Sequence, residues 1–246
     1  MSMKQQYKLV VIDGLILLVT CVTIVLFLNF FVFAPLKKGN SDSLVTMIQQ
    51  DNADRVKVIL AEEEFNKMKE NKPASFEEYK KMRANKQDEY NRTPLMWLAY
   101  ANNSDMKITL ESDTKRLPMI DIIIAAGADL NATDKDGWTA LTWASWSGLN
   151  AVAAKLIDLG ADLKVVDKKG NTALMVAAQT GHGDIVKLLL TKGADRTAQN
   201  ASGKTAKDLA EEFMQKFPKK NEAYKTVITL LEAPAVASAP AAVSSN

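Results

Sequence analysis

Cysteine is nearly absent from this 246-residue chain, and the one present, Cys21, lies inside an apolar run. That excludes an intramolecular disulfide, a cysteine-based metal site and a solvent-facing thiol nucleophile. Histidine is equally scarce: His182 is the only one, and no serine or cysteine falls at a position where a motif would pair with it. An acid–base or nucleophilic constellation therefore lacks its parts. An excess of either charge is also missing, since 31 Lys and Arg stand against 29 Asp and Glu for a net +2. No summed basic field attracts a polyanion, and no zinc-finger or RRM-type signature concentrates one, so no nucleic-acid partner is expected. A glycine-rich phosphate loop is lacking as well, Gly181-His-Gly183 being too short for one. The carboxylates of Glu62-Glu-Glu64 sit in a lysine-flanked stretch and read as a solvated face rather than a metal site. The chain is not expected to be an enzyme, and no catalytic residue, metal, cofactor or small-molecule substrate is expected.

What the chain does have begins near its N-terminus. Residues 15–33 contain no charged side chain and only Thr20, Thr23 and Asn29 as polar interruptions. Nineteen helical residues, counted over that range, would reach roughly 29 Å at about 1.5 Å each, close to the hydrocarbon thickness of a bilayer. A single transmembrane helix is expected, with residues 1–36 as tail and anchor. A cleaved signal peptide fits less well, because the run is long for one and Pro35 directly follows Ala34.

Beyond this run the sequence repeats. Gly137, Gly170 and Gly203 are thirty-three residues apart, as are Thr139, Thr172 and Thr205, then Ala144, Ala177 and Ala210. The tripeptide Gly-Ala-Asp recurs at 127–129, 160–162 and 193–195 with the same step. Two independent motif sets in one register define a stack of repeats. The glycine suits a turn with positive φ, and the threonine two residues later can cap a helix. Pro94 follows Thr93 where its missing N–H is harmless. A second helix carries the heavier apolar stripe, Ile120, Ile123 and Ile124 in one copy and Ile185, Val186, Leu189 and Leu190 in another. Gly127, Gly160 and Gly193 then end it.

The run Asp167-Lys-Lys-Gly-Asn-Thr-Ala-Leu-Met-Val-Ala-Ala-Gln-Thr-Gly-His-Gly-Asp-Ile-Val-Lys-Leu-Leu-Leu-Thr-Lys-Gly-Ala-Asp195 resembles the ankyrin-repeat family, and residues 134–162 are a looser copy. The resemblance implies an all-α solenoid of paired antiparallel helices with a projecting turn between repeats. About three recognisable repeats and two degenerate caps would fill residues 41–232, ahead of a disordered Ala/Pro/Ser-rich tail at 233–246. Two departures stand out: an insert near 61–87, with a capping-box helix start at Ser75-Phe-Glu-Glu78, and one near 102–117 inside the first full repeat. Residues 44–60 read as an amphipathic helix pair. His182 would hold the turn between the helices.

The resemblance also implies where a protein partner sits, on the turns and on the first helices that line the concave face. Carried onto this chain, the turn positions include Glu89, Tyr90, Arg92, Lys135, Asp136, Trp138, Lys168, Lys169 and Asn171, and the helix positions Tyr100, Trp146, Ser147, Gln179 and Thr180. Tyr90, Tyr100, Trp138 and Trp146 are aromatic in a chain with only 7% aromatics, and such side chains dominate interface hot spots. Tyr90 with Tyr100 is expected to repeat the pair Trp138 and Trp146, whereas Trp97 and Trp143 are expected to fill space between helices. Lys4 and Lys8 before the apolar run nearly balance Lys37 and Lys38 after it. The expected setting is a bacterial inner membrane with periplasmic repeats binding, scaffolding or inhibiting an envelope protein; the alternative is a cytoplasmic-facing adaptor.

Overall fold

A computed structural model describes residues 53–61, 66, 68, 73–101 and 113–233. Cys21, the apolar run at 15–33, Glu62-Glu-Glu64, most of the insert expected at 102–117 and the tail after 233 lie outside the described residues. Among the described residues no helix is long and apolar enough to cross a membrane.

Four short inner helices start in the same way: α3 (Pro94–Ala99), α5 (Ala140–Ser147), α7 (Ala173–Thr180) and α9 (Ala206–Lys216). The preceding residues, Thr93, Thr139, Thr172 and Thr205, are extended, and each hydroxyl accepts from the amide three residues on. That supplies a partner to an amide the helix itself cannot satisfy. Each inner helix pairs with an outer one: α4 (Leu117–Ala125), α6 (Asn150–Asp158), α8 (Gly183–Thr191) and α10 (Asn221–Glu232). The outer helices α4, α6 and α8 end in a shared way, with the amides of Ala128, Ala161 and Ala194 reaching back to the carbonyls of Ile123, Leu156 and Leu189. The intervening Gly127, Gly160 and Gly193 have positive φ, as expected of them.

Packing follows the two helical faces. Inner helices lie side by side, α3 on α5, α5 on α7 and α7 on α9, and the outer helices form a second layer. Ala144, Ala177 and Ala210 are fully buried on the inner layer, where a side chain of one carbon permits close approach. Ile120, Ile123, Ile185, Val186 and Leu189 are fully buried from the outer layer, while Ile124 and Leu190 are half-buried. Exposed ion pairs step along the outer helices, Lys155 to Asp121 at 2.6 Å and Lys192 to Asp158 at 2.7 Å. At a surface such pairs contribute at most about 1 kcal/mol each.

Ser145 breaks the apolar rule of the inner layer. It is fully buried and its hydroxyl has no partner among the described residues, whereas Ala178, thirty-three residues on, is simply apolar. A buried hydroxyl without a partner is destabilising, so Ser145→Ala should raise stability by about 1 kcal/mol in a chemical denaturation curve. An unchanged or lower midpoint would show that the hydroxyl is satisfied.

The ends of the stack differ from its middle. Before the first repeat, α1 (Ala53–Ile59) packs on α4. Of the helix pair expected at 44–60, the described part of that stretch holds this one helix, and residues 44–52 lie outside the described residues. Helix α2 (Phe76–Ala84) starts where expected: Ser75 accepts from the Glu78 amide, and the Glu78 carboxylate accepts from the amide of Ala74. Asn85 then ties the segment to the stack, donating to the Gly127 carbonyl at 2.8 Å and accepting from the Asp129 amide at 2.7 Å. Asn131 accepts from Asp162 in the same way one repeat later. At the other end α9 spans 11 residues where α5 and α7 span 8. A 3-10 turn, Pro218–Lys220, then leads into α10. Lys207 lies between the carboxylates of Glu211 and Glu232.

Candidate functional site

The turns that project between repeats are built on one carboxamide or carboxylate each. Asp134 Oδ1 accepts from the amides of Asp136 and Trp138, both at 2.9 Å. Asp88 does the same for Tyr90 and Arg92, Asp167 for Lys169 and Asn171, and Asn200 for Ser202 and Lys204. Each turn then bonds to the next through its backbone, Lys135 to Tyr90, Lys168 to Asp136 and Ala201 to Lys169. Gly170 shows why the tip is glycine: its φ is +76°, and a Cβ would stand 2.7 Å from the Ala201 amide nitrogen. Both conformation and space exclude a side chain there.

The second oxygen of these aspartates holds tryptophan. Trp97 Nε1 donates to Asp88 Oδ2 at 3.2 Å, Trp143 Nε1 to Asp134 Oδ2 at 2.9 Å, and Trp138 Nε1 to Asp167 Oδ2 at 3.3 Å. Burial pushes the Asp134 carboxyl up, against the opposing pull of its amide and indole donors. The rings so fixed form one aromatic cluster across two repeats. Trp143 is its centre, with ring centroids 4.7 Å from Trp138, 5.4 Å from Tyr100 and 6.0 Å from Trp146. Tyr100 stacks on Trp146 at 6.2 Å and 11°. Arg92 bonds Asp88 and lies over the rings of Tyr90 and Trp97, at 4.6 and 4.3 Å. Burial pushes the Tyr100 phenol up to about 12, so it stays neutral.

The expected contact residues divide accordingly. Lys135, Asp136, Lys168 and Lys169 are exposed on the turn tips, and Tyr90 and Arg92 are half-buried beside them. Tyr100, Trp138, Trp146 and Gln179 are half-buried on the face of the inner helices. Trp97 and Trp143 are buried, as expected of helix-packing residues. Asn171 departs from its expected place on the open turn. It is 7% exposed, and its side chain donates to Asp167 and accepts from Asn200. The pairing of Tyr90 with Trp138 also needs correction: Arg92, directly before the capping Thr93, stands where Trp138 stands before Thr139. Tyr100 and Trp146 do correspond. Asp88, Asp134, Asp167 and Asn200 were not anticipated, although the last three keep the step of thirty-three. A separate groove of about 690 Å³ lies beside α2, lined by Lys81, Met82 and Asn85 among others. None of the expected contact residues lines it.

The first three inner helices, α3, α5 and α7, also end on a shared device. The carbonyl at the last turn accepts from a side chain each time: Tyr100 from Arg116 at 2.8 Å, Trp146 from His182 Nε2 at 3.1 Å, and Gln179 from the Tyr224 hydroxyl at 3.0 Å. His182 packs so closely on the previous repeat that a Cβ at Gly148 would meet its ring at 2.6 Å. Asp113, buried on the near side of the insert, accepts from the amides of Ala151 and Val152 and caps α6. Burial pushes the His182 imidazole down from its ordinary value. The unfolded chain therefore takes up this proton first, and stability present above about pH 6.5 is lost as pH falls through that value. The carboxyl groups held low, Asp195, Asp208 and Glu212, act only in the carboxylate range. Melting temperature should drop between about pH 7.5 and about pH 5.5 in the parent chain and stay flat in His182→Gln. A parent curve as flat as the variant's would remove His182 as the cause.

Three comparable units with capped inner helices, glycine-terminated outer helices and bonded turns are thus on view. Residues 111–200 match the family model for ankyrin repeats, in three copies. Over that stretch the chain is similar to ankyrin repeats. The match begins after the first inner helix and stops at the last turn, so α3 and the closing pair α9 and α10 lie outside it. No curated protein matches the chain. Ankyrin repeats generally mediate protein–protein interaction and are typically non-enzymatic. Among the described residues no group of three His, Cys, Asp or Glu could hold a metal ion.

Proposed function

We propose that the chain is a membrane-tethered protein-binding module, anchored by residues 15–33, whose turns and inner helices grip a protein partner. Trp138 and Trp146 are the principal contacts and Tyr100 extends them, with Lys135, Asp136, Lys168 and Lys169 at the rim. The observation that carries this reading is the aromatic cluster. Its buried members fix the half-buried rings of Trp138, Trp146 and Tyr100 on one face, and rigid aromatic surface is what interface hot spots are made of. The proposed setting is a bacterial inner membrane with the repeats in the periplasm, supported by Lys4 and Lys8 ahead of the apolar run. Lys37 and Lys38 behind it favour a second reading, an adaptor facing the cytoplasm. A C-terminal reporter that is active in one compartment only separates the two.

A photo-crosslinker tests the binding face. Placed at Gln179 it should yield an adduct with a protein, and at Lys187, exposed on the outer helix α8, it should not. The Gln179 adduct should vanish in a Trp138→Ala, Trp146→Ala double variant, whose affinity should fall at least about thirtyfold. An adduct that survives both substitutions would move the interface elsewhere.

A further inference from the structure

The third projecting turn, built on Asp167, differs from its neighbours in charge. Residues 162–170 carry three lysines against two aspartates, whereas 129–137 carry one lysine against three aspartates and 195–203 one arginine against one aspartate. Lys164, Lys168 and Lys169 are all exposed, and none forms an ion pair with a described residue. The cations of the adjoining turns are engaged: Lys135 lies over the Tyr90 ring at 5.9 Å, Arg196 donates to the carbonyls of Leu231 and Ala233, and Lys204 pairs with Glu212. Between the free lysines Val166 is 49% exposed, at the position that Thr133 and Gln199 occupy in the neighbouring turns. A solitary exposed lysine or valine is ordinary on a protein surface. Here both departures fall on one turn, and its backbone is fixed. One oxygen of Asp167 accepts from the amides of Lys169 and Asn171, the other from the Trp138 indole. The Lys168 amide donates to the Asp136 carbonyl, and the Lys169 carbonyl accepts from Ala201. A single carboxylate therefore holds both the lysine tip and the Trp138 ring beside it.

We infer, resting on the protein-binding reading above, that the third turn takes a short acidic segment of the partner protein: its carboxylates face Lys164, Lys168 and Lys169, and an apolar side chain next to them covers Val166. A long polyanion does not fit the same surface. The cationic strip is one turn wide, with the exposed carboxylate of Asp136 on one side and the uncharged Ala201 and Ser202 on the other, so a few carboxylates find a complementary field and an extended run of them does not. Charges at the rim of an interface steer encounter and fix register more than they add affinity. The lysine turn thus selects which segment reaches the aromatic face, and the tryptophans hold it there.

The test is a selection of displayed random peptides on the full-length chain in an uncharged detergent, followed by titration of the enriched peptides. Enriched sequences should carry a surplus of Asp and Glu, and their affinity should fall at least about fivefold between about 50 and about 500 mM salt. A Lys168→Glu, Lys169→Glu double variant should bind them at least about tenfold more weakly at unchanged melting temperature. Lys187→Glu, the same charge change on the outer helix α8, should stay within about twofold of the parent. Repeated on the lysine double variant, the selection should enrich Lys and Arg instead, an exchange that a change of folding does not produce. Peptides without an acidic surplus, undiminished binding to the lysine double variant, or an equal loss with Lys187→Glu overturns the inference while leaving the binding face standing. Acidic peptides that bind the Trp138→Ala, Trp146→Ala double variant in full support the lysine turn and overturn the aromatic contacts. No enrichment at all overturns the protein-binding reading and the inference with it.

Discussion

Ala177→Glu should destabilise the fold by about 3 to 5 kcal/mol, while Lys168→Glu should change it by less than about 0.5 kcal/mol. Ala177 is fully buried in α7, which packs on α5 on one side and α9 on the other. Its carbonyl accepts from the His182 amide and the Thr180 hydroxyl, so the backbone there is already engaged on the helix's exit. A carboxylate at this position must either stay charged in the seam between repeats, with no cation at hand, or part the helices. Both outcomes act on the neighbour interfaces that hold a repeat stack together. Lys168 by contrast is exposed on a turn and contributes only its backbone amide, to the Asp136 carbonyl, which any residue but proline supplies. Denaturation midpoints of the two variants decide the matter. Similar losses would mean that Ala177 is not in the inter-repeat contact.

The register of the stack could be read because its markers are backbone devices. A capping threonine, a turn glycine and a helix-ending glycine are fixed by φ and by orphan amides, and they recur at thirty-three residues regardless of what the repeats bind. The same markers were enough to align the first repeat, since Arg92 precedes Thr93 as Trp138 precedes Thr139. Pairing by aromatic type pointed instead to Tyr90, which corresponds to Asp136 on the turn tip. The resemblance to ankyrin repeats carried Asn171 onto the open turn together with Lys168 and Lys169. The structure shows that the residue two places before the helix belongs to a ladder of side chains joining one turn to the next.

Other parts were hidden for different reasons. Asp113 caps α6 from within the insert expected at 102–117, and no periodic pattern reports a contact made by a residue that only one repeat carries. Tyr224 takes the Gln179 carbonyl as His182 takes that of Trp146. The longer α9 and the 3-10 turn move Tyr224 out of step with the earlier histidine. The carbonyl is a constant of the repeat, and the group that satisfies it is not. That is why Arg116, His182 and Tyr224 share a task without sharing a type.

The aromatic cluster sets the other large expectation, because two tryptophans in contact should respond to truncation in opposite ways. Trp143→Ala should cost about 3 to 5 kcal/mol of stability. Trp143 is 8% exposed and touches Trp138, Tyr100 and Trp146. Its removal opens a cavity at the centre of the cluster and also takes the indole donor from Asp134, whose buried carboxylate then relies on two amides alone. Trp146→Ala should cost no more than about 1.5 kcal/mol, since a half-exposed ring loses one stacked, one tilted and one edge-on neighbour and no side-chain hydrogen bond within the described chain. Its effect should fall on binding instead. Melting curves of the two variants, run beside the crosslinking assay at Gln179, separate support from contact. If Trp146→Ala unfolds the chain as readily as Trp143→Ala does, Trp146 is a core residue, and loss of binding on its truncation says nothing about where the partner sits.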